Sequence, residues 1–118
     1  MIRLCAFSDE ASETLSGQIS ALQRNRIGYM ELRSIAGKNV SNLTVEEARE
    51  YIKEIEDSGI KVWSIGSPLG KIDITVDMDK YTEKVKHVCT LANCFHTDKI
   101  RVFSFFNRNF DALLFFLW

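Results

Sequence analysis

Glu31 and Arg33 stand two residues apart in the stretch YMELRSIAGKNV, which otherwise opens like a buried strand. Side chains alternate along a strand, so Tyr29, Glu31 and Arg33 share one side while Met30 and Leu32 share the other. The apolar pair can pack beneath helices. The acid and the base then lie together near the carboxyl end of the strand, where they either contact a polar substrate or form a strand-end ion pair. Burying both under a second helical layer would be costly without partners. The mouth of a closed barrel admits water and polar ligands, so the pair favours a barrel over a flat doubly wound sheet.

Arg101 poses the same question inside KIRVFSFF. A guanidinium flanked by Ile100 and Val102 must reach a partner or the mouth, and Glu31 is a candidate partner across the sheet. Phe103 and Phe105 share its side and read as core. Lys71 closes GSPLGK, which differs from the nucleotide-binding P-loop by one missing spacer and by Ile72 after the lysine. The loop could hold a phosphate through backbone amides and one point charge, or simply be a turn set by Pro68 and Gly70. Asp9 and Glu10, in SDEAS, are either acid–base groups or, as favoured here, residues that complement the start of the next helix together with Ser12. Lys38 and Asn39, in the long loop, either touch ligand hydroxyls or, as favoured here, are solvated loop residues. His87, Cys89, Cys94 and His96 suggest a metal cluster by type, but about 100° per residue sends them to two faces of one helix. Cys89 is expected in the core and His87 in solvent.

The elements that must position these groups follow from periodicity. Ile2–Phe7, Ile27–Leu32, Ile60–Ile65 and Lys99–Phe106 read as strands. Leu15, Ile19 and Leu22 form one helical stripe; Ala48, Ile52 and Ile55 a second; Tyr81, Val85, Val88, Ala92 and Phe95 a third. Thr44 and Glu47 fit a capping box, and Gly59 suits the position after the second helix. The order βαβαβαβ favours a parallel sheet with right-handed crossovers. Strand-to-helix loops, Ser34–Leu43 and Ser67–Val76, are longer than the helix-to-strand links. In α/β folds those longer loops lie at the carboxyl ends of the strands, where ligands bind.

The four segments FSDEAS, MELRSIAGKNV, IGSPLGKI and IRVFSFF, in this order, resemble the sugar phosphate isomerase/epimerase family of xylose-isomerase-like TIM barrels. The resemblance runs from Ile2 to about Phe106. It implies an α/β fold, the amino-terminal half of a (β/α)8 barrel, with about four βα units, parallel strands and outer helices. It implies that Glu31, Arg33, Lys71 and Arg101 surround a sugar or sugar-phosphate site. It also implies a divalent metal in the intact family, held by carboxylates and a histidine from later strands. No metal and no isomerase chemistry is therefore expected of this chain alone.

A complete barrel takes about 250 residues, and this chain has 118. Residues 1–106 are expected to form a partial barrel domain. Residues 107–118, ending FDALLFFLW, form an atypical apolar tail, as a truncated or frame-shifted gene would leave. The expected alternative is a non-catalytic half-barrel that dimerises or pairs with another chain. A net charge of −1 supplies no bulk field for nucleic acid or anionic membrane, which also disfavours an abasic-site endonuclease. The longest late apolar run, ALLFFLW, falls far short of a membrane span of roughly 20 residues. Three cysteines and no secretory signal point to a reduced, cytoplasmic setting.

Overall fold

The computed structural model describes residues 1–107; beyond Asn107, the apolar tail read from the sequence lies outside the described residues. Four strands pair in parallel in the order β1 (Cys5–Ala6), β2 (Tyr29–Leu32), β5 (Lys61–Gly66), β6 (Ile100–Arg101). Spatial order follows chain order. With right-handed crossovers, such a sheet places every helix on one face. That is barrel winding, in which the opposite face becomes the interior.

Three helices cover the outer face: α1 (Leu15–Arg24), α2 (Val45–Asp57) and α3 (Met78–Cys94). Their stripes meet Met30, Leu32, Val62 and Ile65 in one core with Leu22, Ala48, Ile55, Val88, Leu91 and Phe95. Each of these side chains is no more than 6% exposed. Local chemistry fixes the helix ends. Thr44 accepts from the Glu47 amide while the Glu47 carboxylate accepts from the Thr44 amide, so the expected capping box is formed. Those hydrogen bonds, above all the one from the Thr44 backbone and then the one from Lys38, hold the Glu47 carboxyl below its usual range. The backbone turns left-handed just after each helix, at Arg26, Gly59 and His96. Gly59 takes that conformation freely; Arg26 and His96 adopt it against a steric penalty.

Three expected elements differ. The first strand shrinks from Ile2–Phe7 to Cys5–Ala6, with Ile2 and Leu4 exposed. Among the described residues it is an edge strand that pairs with β2 over two residues. The last strand shrinks from Lys99–Phe106 to Ile100–Arg101. β5 ends at Gly66, so the chain beyond Arg101 bonds the loop after β5 instead, through Phe103 N–H to Leu69 O and Phe106 N–H to Ile72 O. Here a Cβ on Gly70 would lie 1.7 Å from the Phe103 carbonyl oxygen, and its φ is +83°, so this close approach demands glycine. Finally, the loop Ser34–Leu43 holds an antiparallel hairpin, β3 (Ser34–Ile35) with β4 (Lys38–Asn39), and a 3-10 turn at Val40–Asn42. Lys38 pairs with Glu47 and Asn39 accepts from the Ser41 amide, so neither is a merely solvated loop residue.

α3 is rotated relative to the expected stripe. Leu91 is fully buried and Val85 only partly so. The rotation exposes Cys89 and turns His87, one turn before Leu91, onto the Leu43 carbonyl at 2.8 Å. Cys89 is therefore exposed and not in the core, and His87 is part-buried and not solvated. His96 pairs with Glu56 at 2.7 Å.

Candidate functional site

The inner face of the sheet carries Glu31, Arg33 and Arg101 at the carboxyl ends of the strands. β2 and β5 set the level. A register shift after Met30 brings Ser64 level with Glu31 and Ile65 level with Leu32. β5 in turn pairs Gly66 with Arg101. A Cβ on Gly66 would lie 3.2 Å from Glu31 Oε1, 3.3 Å from Arg101 Nη2 and 3.4 Å from Arg33 Cβ. The missing side chain thus leaves room for three charged groups to gather over one backbone position. Nothing in the sequence marked Gly66 as part of the site, because this role depends on what faces it across two strand pairings.

The acids and bases divide into two sets. Arg33 Nε donates to Asp9 Oδ2 at 2.7 Å and Arg33 Nη2 donates to Glu10 Oε1 at 2.5 Å. Those two bonds, Asp9 first, hold the Arg33 guanidinium above its already high range. Asp9 Oδ2 also accepts from the Ser34 hydroxyl at 2.9 Å. Asp9 and Glu10 are therefore not caps of α1. Thr14 caps that helix, accepting from the Gly17 amide, and Ser12 accepts from the Thr14 amide. A 3-10 turn at Ser8–Glu10 turns both acids toward β2. Beneath it, fully buried Gln18 accepts from the Ser8 hydroxyl and donates to the Ser34 carbonyl. This bridge ties the loop after β1 to the loop after β2, and sequence reading passed it over because Gln18 looks like an ordinary helix-surface residue.

Arg101 and Glu31 form the second set, as the sequence suggested. Nε and Oε1 lie 2.9 Å apart. Both atoms are buried, yet neither has a hydrogen-bond partner, and the same holds for Asp9 Oδ1. The distance satisfies charge attraction, while the N–H does not point at the oxygen, so we treat the pair as a Coulombic contact with its hydrogen bond unmade. The Glu31 charge extends to β1: the Cys5 thiol is pushed up, first by burial and then by Glu31.

Aromatic rings lie against the cations. Arg33 and Arg101 each lie 5.0 Å from the Phe7 centroid, Arg101 lies 5.1 Å from the Phe103 centroid, and Lys71 lies 5.6 Å from the same Phe103 centroid. Phe103 is 39% exposed, so it belongs to this row and not to the core; Phe105 is partly buried, edge-on to Tyr81. Lys71 itself is exposed. Its loop is the expected turn, with Lys71 N–H to Pro68 O and left-handed Gly70. The structure thus brings Glu31, Arg33 and Arg101 together and reaches Lys71 through Phe103.

Among the described residues no three His, Cys, Asp or Glu side chains converge to hold a metal. The carboxylates at the mouth face arginines. This donor set does not fit the divalent metal implied by the resemblance, and no step is derived through one. A shallow hollow of about 280 Å³ lies at the other end of the strands, lined by Tyr29, Lys61, Trp63, His96 and Lys99 among others. It shares none of the mouth residues.

No family model matches the sequence, and no curated protein matches it. Among solved structures, the chain is similar to the crystal structure of the probable 3-DHS dehydratase AsbF, involved in petrobactin synthesis, from Bacillus anthracis. The TM-score is 0.66 at 22% identity, over 86% of this chain and 38% of that one. This chain therefore spans well under half the length of that relative. The likeness is one of fold: four parallel strands with outer helices, laid out as part of a TIM barrel.

Proposed function

We propose that this chain carries the substrate-binding part of the mouth of a barrel enzyme that isomerises or epimerises a sugar or sugar phosphate. Glu31, Arg33 and Arg101 contact the substrate and Lys71 flanks it. The observation that carries the reading is the gathering of Glu31, Arg33 and Arg101 over Gly66 at the carboxyl ends of adjacent parallel strands, where barrel enzymes place their sites. By itself the chain performs no metal-dependent turnover, because the carboxylates it supplies are turned to arginines. The working setting is the cytoplasm, consistent with three free cysteines, and no nucleic acid or membrane is engaged. No helix among the described residues is long and apolar enough to cross a membrane.

Two measurements test this. The purified chain, assayed with magnesium or manganese on tetroses, pentoses and hexoses, should show no isomerisation. Titration with a pentose, followed by amide NMR, should shift Glu31, Arg33, Gly66 and Arg101. Shifts confined to Lys61, Trp63 and Thr97 at the opposite end would move the site there, and turnover that survives further purification would refute the inactive state.

A second reading is a non-catalytic half-barrel that pairs with a second copy. Its support is the set of exposed large apolar side chains, Ile2, Leu4, Trp63, Val102 and Phe106 among them. Light scattering separates the two: a stable dimer supports pairing, and a monomer that binds hydrophobic dye counts against it.

A further inference from the structure

Lys61 and Trp63 alternate with Val62 along β5, so the lysine and the indole share a side while Val62 enters the core. Tyr29 pairs with Lys61 across the sheet and meets the Trp63 ring edge-on, with 5.6 Å between centroids. Both rings thus stand toward the amino ends of their strands, away from the mouth. The link into β6 completes the surroundings. The Thr97 hydroxyl donates to the Trp63 carbonyl at 2.6 Å and accepts from the Lys99 amide at 3.3 Å. These bonds hold the link against β5, and the Lys99 ammonium sits 4.4 Å from the Trp63 centroid. His96, paired with Glu56 at 2.7 Å, lines another side. The hollow so formed measures about 280 Å³, just under the roughly 300 Å³ at which small-molecule sites begin. It suits a ligand built on a single ring.

The charges here differ from those of the mouth, where each arginine faces an acid. Lys61, Lys99 and, beside the Tyr29 ring, Arg3 face one acid, Asp98, which pairs with Lys99. Glu56 is taken by His96. The hollow is therefore locally positive on a chain whose net charge is −1. Among the described residues the Lys61 ammonium has no ion pair or hydrogen bond, and the Trp63 indole N–H has no acceptor. Trp63 is 40% exposed, so its ring is open to a ligand. We infer that this hollow, independently of the mouth, binds a small aromatic carboxylate. The carboxylate accepts from the Lys61 ammonium and the indole N–H, and the ligand's ring lies against Tyr29 and Trp63. An exposed ion pair alone is weak because water screens it, so binding takes the charge and the ring together. An aromatic cation of the same size is repelled by Lys61, Lys99 and Arg3.

The test is NMR of the 118-residue chain, reading the Trp63 Nε1–H signal, the Thr97 amide and the Gly66 amide while adding benzoate, acetate or benzylamine separately at matched ionic strength. Trp63→Phe identifies the indole signal, since Trp118 gives a second one. Benzoate should shift Trp63 and Thr97 in a saturable way and leave Gly66 in place. Acetate carries the charge without the ring, and benzylamine the ring with the opposite charge; neither should saturate. Lys61→Gln should weaken benzoate binding about fivefold, the upper end for an exposed charge pair. Lys86→Gln, on the exposed side of α3, should leave it unchanged. Both lysines are exposed, so neither variant loses core packing. Acetate matching benzoate reduces the hollow to an adventitious ion only, and benzylamine matching it overturns the preference for an anion. Equal weakening in the two lysine variants overturns the role of Lys61. Silence toward benzoate overturns the site, while the Gly66 amide reports on the mouth separately and leaves the reading of the mouth to its own test.

Discussion

The two faces of the sheet are built on different terms. On the outer face, Met30, Leu32, Val62 and Ile65 are buried by helices that this chain itself supplies. On the inner face, Tyr29, Glu31, Arg33, Trp63 and Arg101 stay partly or fully exposed, with cations set against rings and three buried polar atoms left unpaired. Apolar burial is satisfied by any well-packed neighbour of suitable volume. Charged groups need partners of specific geometry, and the chain offers only some of them. Apolar burial is concentrated on one face and unpaired polar atoms on the other.

The largest expected effect is on the outer face. Leu32→Ala should lower unfolding free energy by about 2–5 kcal/mol in urea titration, while Trp63→Ala, 40% exposed on the inner face, should lower it by no more than about 1 kcal/mol, the scale of an exposed cation–π contact. A large, concentration-dependent loss for Trp63→Ala would mean that a second copy covers the inner face. Next comes Gln18, which ties the loop after β1 to the loop after β2. Gln18→Ala leaves the Ser8 hydroxyl and Ser34 carbonyl without their shared partner and should cost about 2–3 kcal/mol. A neutral result would show that water takes over the bridge. The Asp9–Arg33 pair should couple by about 1 kcal/mol in a double-mutant cycle, kept small because Arg33 is one-third exposed and water screens it; added salt should shrink it further.

The smallest effect is on the helix side and is set by pH. The Glu47 carboxyl sits below its usual value near 4.5 when folded. The unfolded chain therefore binds that proton first on acidification, and the stability tied to Glu47 is present above that value and lost as pH falls through the lower, folded one. Glu47→Gln should flatten stability slightly in this acid range and leave it unchanged in slope near neutrality. A steeper acid loss in the variant would contradict the sign.

The outer face was largely legible from residue spacing. Thr44 with Glu47 announced a helix start, Gly59 its end, and the apolar stripes found their helices, because capping and burial depend on near neighbours in sequence. Strand ends were less legible. Ile2–Phe7 and Lys99–Phe106 have the composition of strands, but pairing needs a neighbour of matching length, and β2 and β5 accept only two residues from each. Cys89 is exposed and His87 part-buried because an apolar stripe leaves the rotation of α3 about its axis open, and burial of Leu91 sets it.

For the mouth, alternation along YMELR determined that Glu31 and Arg33 share a face opposite Met30 and Leu32, since the pleat allows no other arrangement. The chain order of strands and helices determined a parallel α/β layout, because right-handed crossovers leave few topologies. Tertiary structure decided the rest. Asp9 and Glu10 went to Arg33 and not to the helix start, Arg101 met Glu31 without completing its hydrogen bond, and Gly66 became the floor beneath them. Each of these contacts joins residues more than twenty positions apart, and their register and angles are set by strand pairing, which the local sequence does not encode.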